Sequence, residues 1–263
     1  MLNALTKEYL LRQVPSVFTS ESAGRTSSKY CHISTANVVD ALMEKGFMPT
    51  EATQSNCRLA DKQAYTKHML RFRHVDTEPK LNGLFPELVL INSHDGLSSY
   101  KLIAGLYRLV CSNGLIAGTN YGEIRIRHQG DVVGEVIEGT YEVIESANRM
   151  LEASQKMSHL ILNESDKIEL AKEAHALRFE EGKTAEAFKP EHLLIPRRSA
   201  DQKNDLFTVF NLIQENLIKG GVRGYAYDAQ GYPKRTRSRA IKSIDQGVYL
   251  NRALWALAEK RMS

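Results

Sequence analysis

The chain has 263 residues, of which 42% are hydrophobic and 25% charged, with a formal net charge of +4; this balance builds a globular core and excludes wholesale disorder. No window approaches the roughly 20 continuous apolar residues of a membrane span, and the first residues lack the pattern of a cleaved signal peptide, so a cytoplasmic, membrane-free protein is expected. Cys31, Cys57 and Cys111 are widely separated and form no CxxC or Cys/His ligand spacing, which excludes a disulfide framework and a structural zinc and predicts buried free thiols.

In chain order, residues 1–34 include SVFTSESAGRTSSKY, whose Ser, Thr and Gly content predicts a mobile arm. Ser34 or Thr35 caps a helix over 36–45, with Val38, Val39, Leu42 and Met43 on its apolar face and Gly46 as its stop. The period then changes. HMLRFRHV (68–75), ELVLIN (87–92) and YGEIRIRH (121–128) alternate or run apolar as strands do. Leu102 to Val110 fits strand and helix equally. These segments predict an antiparallel sheet in the middle of the chain, one face apolar and the other carrying Arg71, Arg73, Arg125 and Arg127. Helical spacing follows from about Tyr141 to Ile161 and from Ser165 to Phe179, then over 201–219 before Gly220 and Gly221, and over 245–260. Strands first and helices later predict an α+β fold with helices packed on one face of the sheet. The expected organisation is one compact unit: arm 1–34, core 35–218, and a basic loop and helix, 219–263, packed on the core.

The charge is unevenly spread. Residues 219–263 hold ten Lys and Arg against three Asp and Glu, a net +7, whereas 135–191 hold thirteen acids against seven bases. Such asymmetry bears on partners rather than on fold. The stretch GGVRGYAYDAQGYPKRTRSR (220–239) is rich in glycine and reads as a hairpin or mobile loop. It combines Arg223, Lys234, Arg235, Arg237, Arg239 and the following Lys242 with Tyr225, Tyr227 and Tyr232; Tyr249 and Trp255 lie further on. Lys and Arg bind phosphates with release of counterions, and neighbouring aromatic rings stack on unpaired bases. The arginine rows of the sheet offer a second electropositive surface, unless acids such as Glu123 or Asp131 neutralise them.

Signs of catalysis are fragmentary. His74 with Asp76, His94 with Asp95, and His128 near Asp131 are pairs that a metal or an acid–base mechanism uses, but turn and strand-end roles account for them equally. Cys111, at the end of an apolar run, is a weak candidate nucleophile. The chain has no GxxxxGK[ST], GxGxxG, HExxH or GxSxG, the signatures of phosphate loops, dinucleotide sites, zinc proteases and α/β-hydrolases.

INSHDGLSSYKLIAGLYRLVCSNGLIAG (91–118), NLIQENLIKGG (211–221) and LNRALWALAE (250–259) resemble the phage/plasmid-like proteins of mobile elements, a domain of unknown function (nine-three-two). The similarity runs from about Tyr65 to Ala258. It implies a mobile-element setting and carries over no catalytic residue. Proteins of that setting often handle DNA, and ring-forming strand-annealing proteins use a helix-backed antiparallel sheet with an electropositive face.

The expectation is therefore a protein that needs no cofactor and binds nucleic acid, single-stranded DNA above all, as an oligomer that anneals or protects strands in DNA recombination. One alternative is an interaction protein whose acidic helices block a host defence or regulatory protein. Another is a metal-dependent nuclease built on His74, Asp76, His94 and Asp95. The basic loop of one copy could also answer the acidic helices of the next.

Overall fold

The structure is a computed structural model that describes residues 3–23, 32, 34–80, 83–96, 98–110, 113–116, 121–128, 130–179 and 186–262. The chain forms two compact units rather than one. The first comprises Met1–Arg108 with Thr119–Leu151, the second Leu109–Gly118 with Glu152–Ser263.

The first unit opens with α1 (Lys7–Gln13), capped by the Thr6 hydroxyl, which accepts from the Tyr9 amide, and continues into a 3-10 turn at Pro15–Phe18. Leu10, Val14 and Val17 are fully buried. Residues 7–18 thus anchor to the core through Leu10, Val14, Ser16 and Val17, which corrects the expected mobile arm 1–34 over this stretch; its residues 1, 2, 24–31 and 33 lie outside the described residues. Three apolar side chains at helical spacing stabilise even a short helix once they have a surface to bury against. In α2 (Thr35–Glu44) the Ser34 hydroxyl accepts from the Ala36 amide, and Val38, Val39 and Leu42 are buried, as the sequence predicts.

Strands β1 (Phe47–Gln54), β2 (His68–His74), β3 (Leu84–Asn92), β4 (Tyr100–Arg108) and β6 (Glu123–Ile126) belong to this unit, and β5 (Asn113–Ile116) to the second. The order is β1-β2-β3-β4, all antiparallel, with β6 paired to the first half of β4. Leu102 to Arg108 is thus strand. β1 carries a register shift between Pro49 and Glu51, a bulge that bends a strand, and the Leu5 amide donates to the Pro49 carbonyl. β3 and β4 are buried along most of their length, at odd and even positions alike, so the expected division into an apolar face and an open arginine face does not hold. Helix α3 (Val132–His159) starts earlier than its periodicity suggests, because Asp131 accepts from the Gly134 amide at its first turn; the boundary between the units falls within it.

In the second unit, α4 (Glu164–Ala176) begins with a capping box between Asn163 and Asp166. The centre is α5 (Leu206–Lys219), which Asp205 caps by accepting from the Thr208 amide and which is buried from Leu206 to Leu217. A helix buried on all sides must satisfy its polar residues internally. Gln214 donates to Asn251, Asn216 to the carbonyls of Leu193 and Ile195, and Glu215 accepts from Arg198 and Lys219. At Gly220 (φ 67°, ψ −151°) the chain adopts a conformation open to glycine alone, and it then enters a hairpin of β7 (Arg223–Tyr227) and β8 (Pro233–Arg237). Helix α6 (Ile244–Glu259) closes the unit, its Trp255 buried edge-on against Phe210 at 5.7 Å between ring centroids. Trp255 is therefore core and cannot stack on a base. Among the described residues, no helix is long and apolar enough to cross a membrane.

Candidate functional site

The period-2 geometry of an antiparallel pair puts directly opposed residues on one face. In the hairpin the register pairs Arg223 with Arg237, Tyr225 with Arg235, and Tyr227 with Pro233. One face thus gathers three arginines and two tyrosines, and all five side chains are exposed. The alternate positions behave differently. Gly224 is buried, and a Cβ there would lie 2.0 Å from the Ala187 carbonyl oxygen and 2.6 Å from the Phe188 ring. The glycine side of β7 is therefore seated on 187–188, and the His192 ring on the Arg223 carbonyl helps to hold it. This is why the arginine and tyrosine face turns to solvent. The turn is fixed by Asp228, whose carboxylate accepts from the amides of Gln230 and Tyr232. Among the described residues, no carboxylate pairs with Arg223, Arg235 or Arg237. Tyr232, Lys234, Arg239, Lys242 and Tyr249 are exposed as well.

Replacing Gly224 by alanine forces its methyl into a backbone oxygen, and overpacking of this kind costs about 1–3 kcal/mol. Limited proteolysis should cut the Gly224→Ala hairpin faster than the wild-type one, at unchanged exposure of α5. Equal cutting rates would mean that the hairpin is not seated through Gly224.

The sheet arginines have another role. Glu87, 1% exposed, accepts from Arg71 at 2.7 Å and from Arg73 at 2.8 Å, and both guanidinium groups are buried. Arg73 also lies 4.5 Å from the ring centroids of Phe85 and Tyr107, with Gly105 opposite Glu87 in the register. Arg71 and Arg73 therefore form no electropositive platform: both are buried on Glu87, inside an apolar run where alternation gives it no prominence, and Glu51 approaches Arg71 at 3.7 Å. Arg125 is exposed and pairs with Glu123, as anticipated for that acid; Arg127 is exposed beyond the end of β6.

The residues of the nuclease alternative are kept apart. The β2–β3 register pairs His68 with Asn92, so His94 lies near His68, whereas His74 ends β2 six residues away, about 20 Å along a strand. The Asp76 amide donates to His74 Nδ1 at 3.3 Å and their side chains approach to 3.8 Å, an arrangement of the turn that ends β2, and Asp95 accepts from Ser93. Among the described residues, no group of three or more His, Cys, Asp or Glu could hold a metal ion. Asp131 serves the start of α3. Cys57 is a half-buried free thiol, whereas Cys31 and Cys111 lie outside the described residues.

The same register creates a feature that residue-by-residue reading misses. His68, His94 and His128 are buried at one end of the sheet. Thr35 contacts His68 at 2.9 Å and His94 at 3.3 Å and accepts from Asn92, whose carbonyl takes the His128 ring at 3.0 Å. Ser16 holds the other side of His68, and the His32 and His94 ring centroids are 4.7 Å apart. Burial lowers the pKa of His68 to about 4. Burial, together with the neighbouring His68, His32 and His128, lowers that of His94 to about 3. The signal in the sequence is a histidine at the start of one strand and others just past the ends of two more, which antiparallel pairing brings together.

Comparison with known proteins adds the family. No solved structure matches the chain. It is 44% identical over 256 residues to the UPF0380 protein YafZ of Escherichia coli (strain K12), covering 97% of this chain and 90% of that protein, and equally to the UPF0380 protein YfjQ of the same strain. The family model described as Domain of unknown function (DUF932) matches residues 23–255, a span that takes in both units, and the chain therefore belongs to that family.

Proposed function

We propose that the protein binds nucleic acid, single strands in preference to duplex, through the exposed face of the β7–β8 hairpin. The observation that carries this reading is the row of Arg223, Arg235 and Arg237, which no carboxylate among the described residues neutralises, interleaved with Tyr225 and Tyr227 on one solvent-facing side. Guanidinium groups hold phosphates whatever the sequence, and tyrosine rings stack on bases only where those bases are unpaired. Arg71 and Arg73 are not part of the interface. Annealing or protection of strands by an oligomer is the function in DNA metabolism that such binding would serve.

Fluorescence anisotropy with labelled single-stranded and duplex oligonucleotides at two salt concentrations tests the reading. The variant with Arg235, Arg237 and Arg239 all changed to Gln should bind every sequence more weakly, and its log–log salt slope should fall by roughly one unit for each phosphate it no longer holds. Binding that is unchanged in this variant removes the hairpin from the interface.

A further inference from the structure

Within the hairpin, Arg223 and Arg237 are direct cross-strand partners. Two like charges opposed in this way, roughly 5 Å apart at Cβ, destabilise a ribbon, and no carboxylate among the described residues relieves them. The next pair on the same face is Tyr225 with Arg235. A concavity of about 640 Å³ is lined by Arg223, Gly224, Tyr225, Arg235, Thr236 and Arg237, within the roughly 300–1,000 Å³ typical of small-ligand sites. It is too large for a lone phosphate and suited to one nucleotide.

We propose that this concavity is a discrete mononucleotide site: the Arg223–Arg237 pair clamps a phosphate group, and Tyr225, one pair further along the ribbon, stacks on the base of the same nucleotide. The site rests on the nucleic-acid reading above and deepens it, because it divides the binding into a unit that works without a strand. A phosphate between the two guanidinium groups turns a repulsive pair into a bridged one, and the flat tyrosine accepts any base. The ligand class is a nucleoside monophosphate, free or as one unit of a single strand.

The test is calorimetric titration of the full chain, freed of nucleic acid, with thymidine 5′-monophosphate, deoxyadenosine 5′-monophosphate, thymidine and inorganic phosphate. Single-strand binding is measured in parallel by anisotropy. Both nucleotides should bind, within a few-fold of each other and at least roughly tenfold tighter than phosphate or thymidine, the gain that stacking one base provides. Tyr225→Ala should reduce nucleotide affinity to that of phosphate, and Arg237→Gln should reduce it to that of thymidine, with unchanged circular dichroism. Nucleotides that bind no tighter than inorganic phosphate overturn the proposal. If the single strand still binds in that case, only the mononucleotide site fails; if neither binds, the nucleic-acid reading fails as well. Nucleotide binding without strand binding upholds the site and rejects the strand interface.

Discussion

Glu87→Ala is expected to destabilise the first unit by about 3–5 kcal/mol, the usual cost of stranding buried charge by removing its partner. The variant leaves two guanidinium groups, Arg71 and Arg73, without the carboxylate that both contact. Glu51, 3.7 Å from Arg71 and half-exposed, is too distant and too well solvated to replace it. Arg73 keeps its rings, Phe85 and Tyr107, so the loss centres on Arg71. Urea unfolding, with hydrogen exchange of the β2 and β3 amides assigning the transition to this unit, measures the effect. Replacing all three charged residues together, Arg71→Met, Glu87→Leu and Arg73→Met, should recover most of the stability, because an apolar set leaves no charge to desolvate. A Glu87→Ala loss below about 1 kcal/mol, the range of a solvated pair, would mean that water reaches the cluster.

Acidification is the second large effect. His68 and His94 are neutral in the fold, with pKa values lowered to about 4 and about 3 from the usual 6.5. In the unfolded chain both take up a proton as the pH drops through 6.5, so acid favours unfolding. Their neutral forms hold full stability above 6.5; the contribution declines as the pH falls and is exhausted near the folded values. Between pH 7 and pH 5 each histidine removes about 2 kcal/mol. Denaturation midpoints at pH 7, 6 and 5 should fall steeply for the wild type and less steeply for His94→Gln, whose amide cannot take up the proton. Parallel slopes for the two proteins would take His94 out of the linkage.

Much of the fold is legible in the sequence. Strands β2 and β6 follow from alternation, β3 from a short apolar run, the start of α2 from Ser34, and the end of α5 from Gly220. α1 and β1 are not legible. Seven residues hold no helix alone, and FMPTEATQ lacks apolar alternation and contains a proline; pairing with β2 makes it a strand. The hairpin is legible as one of two options, because glycines and basic residues suit a ribbon and a loose loop equally. Which face it exposes is not, since that depends on Gly224 meeting the distant Ala187. The sheet arginines fail for a related reason: alternation tells which residues share a face but not whether that face is covered, and Glu87 sits inside an apolar run that draws no attention to it.

The bulged, proline-bearing β1 also governs how copies of the chain treat one another when crowded. An outer strand is a template on which a foreign strand can grow. Here Pro49 has no N–H to offer, its carbonyl is already occupied by the Leu5 amide, the shift after Pro49 breaks the register, and the exposed Glu51 adds charge at the next paired position. The sheet is capped against runaway extension from that side, which keeps a protein with an open-edged sheet from seeding aggregates of itself while it is being made.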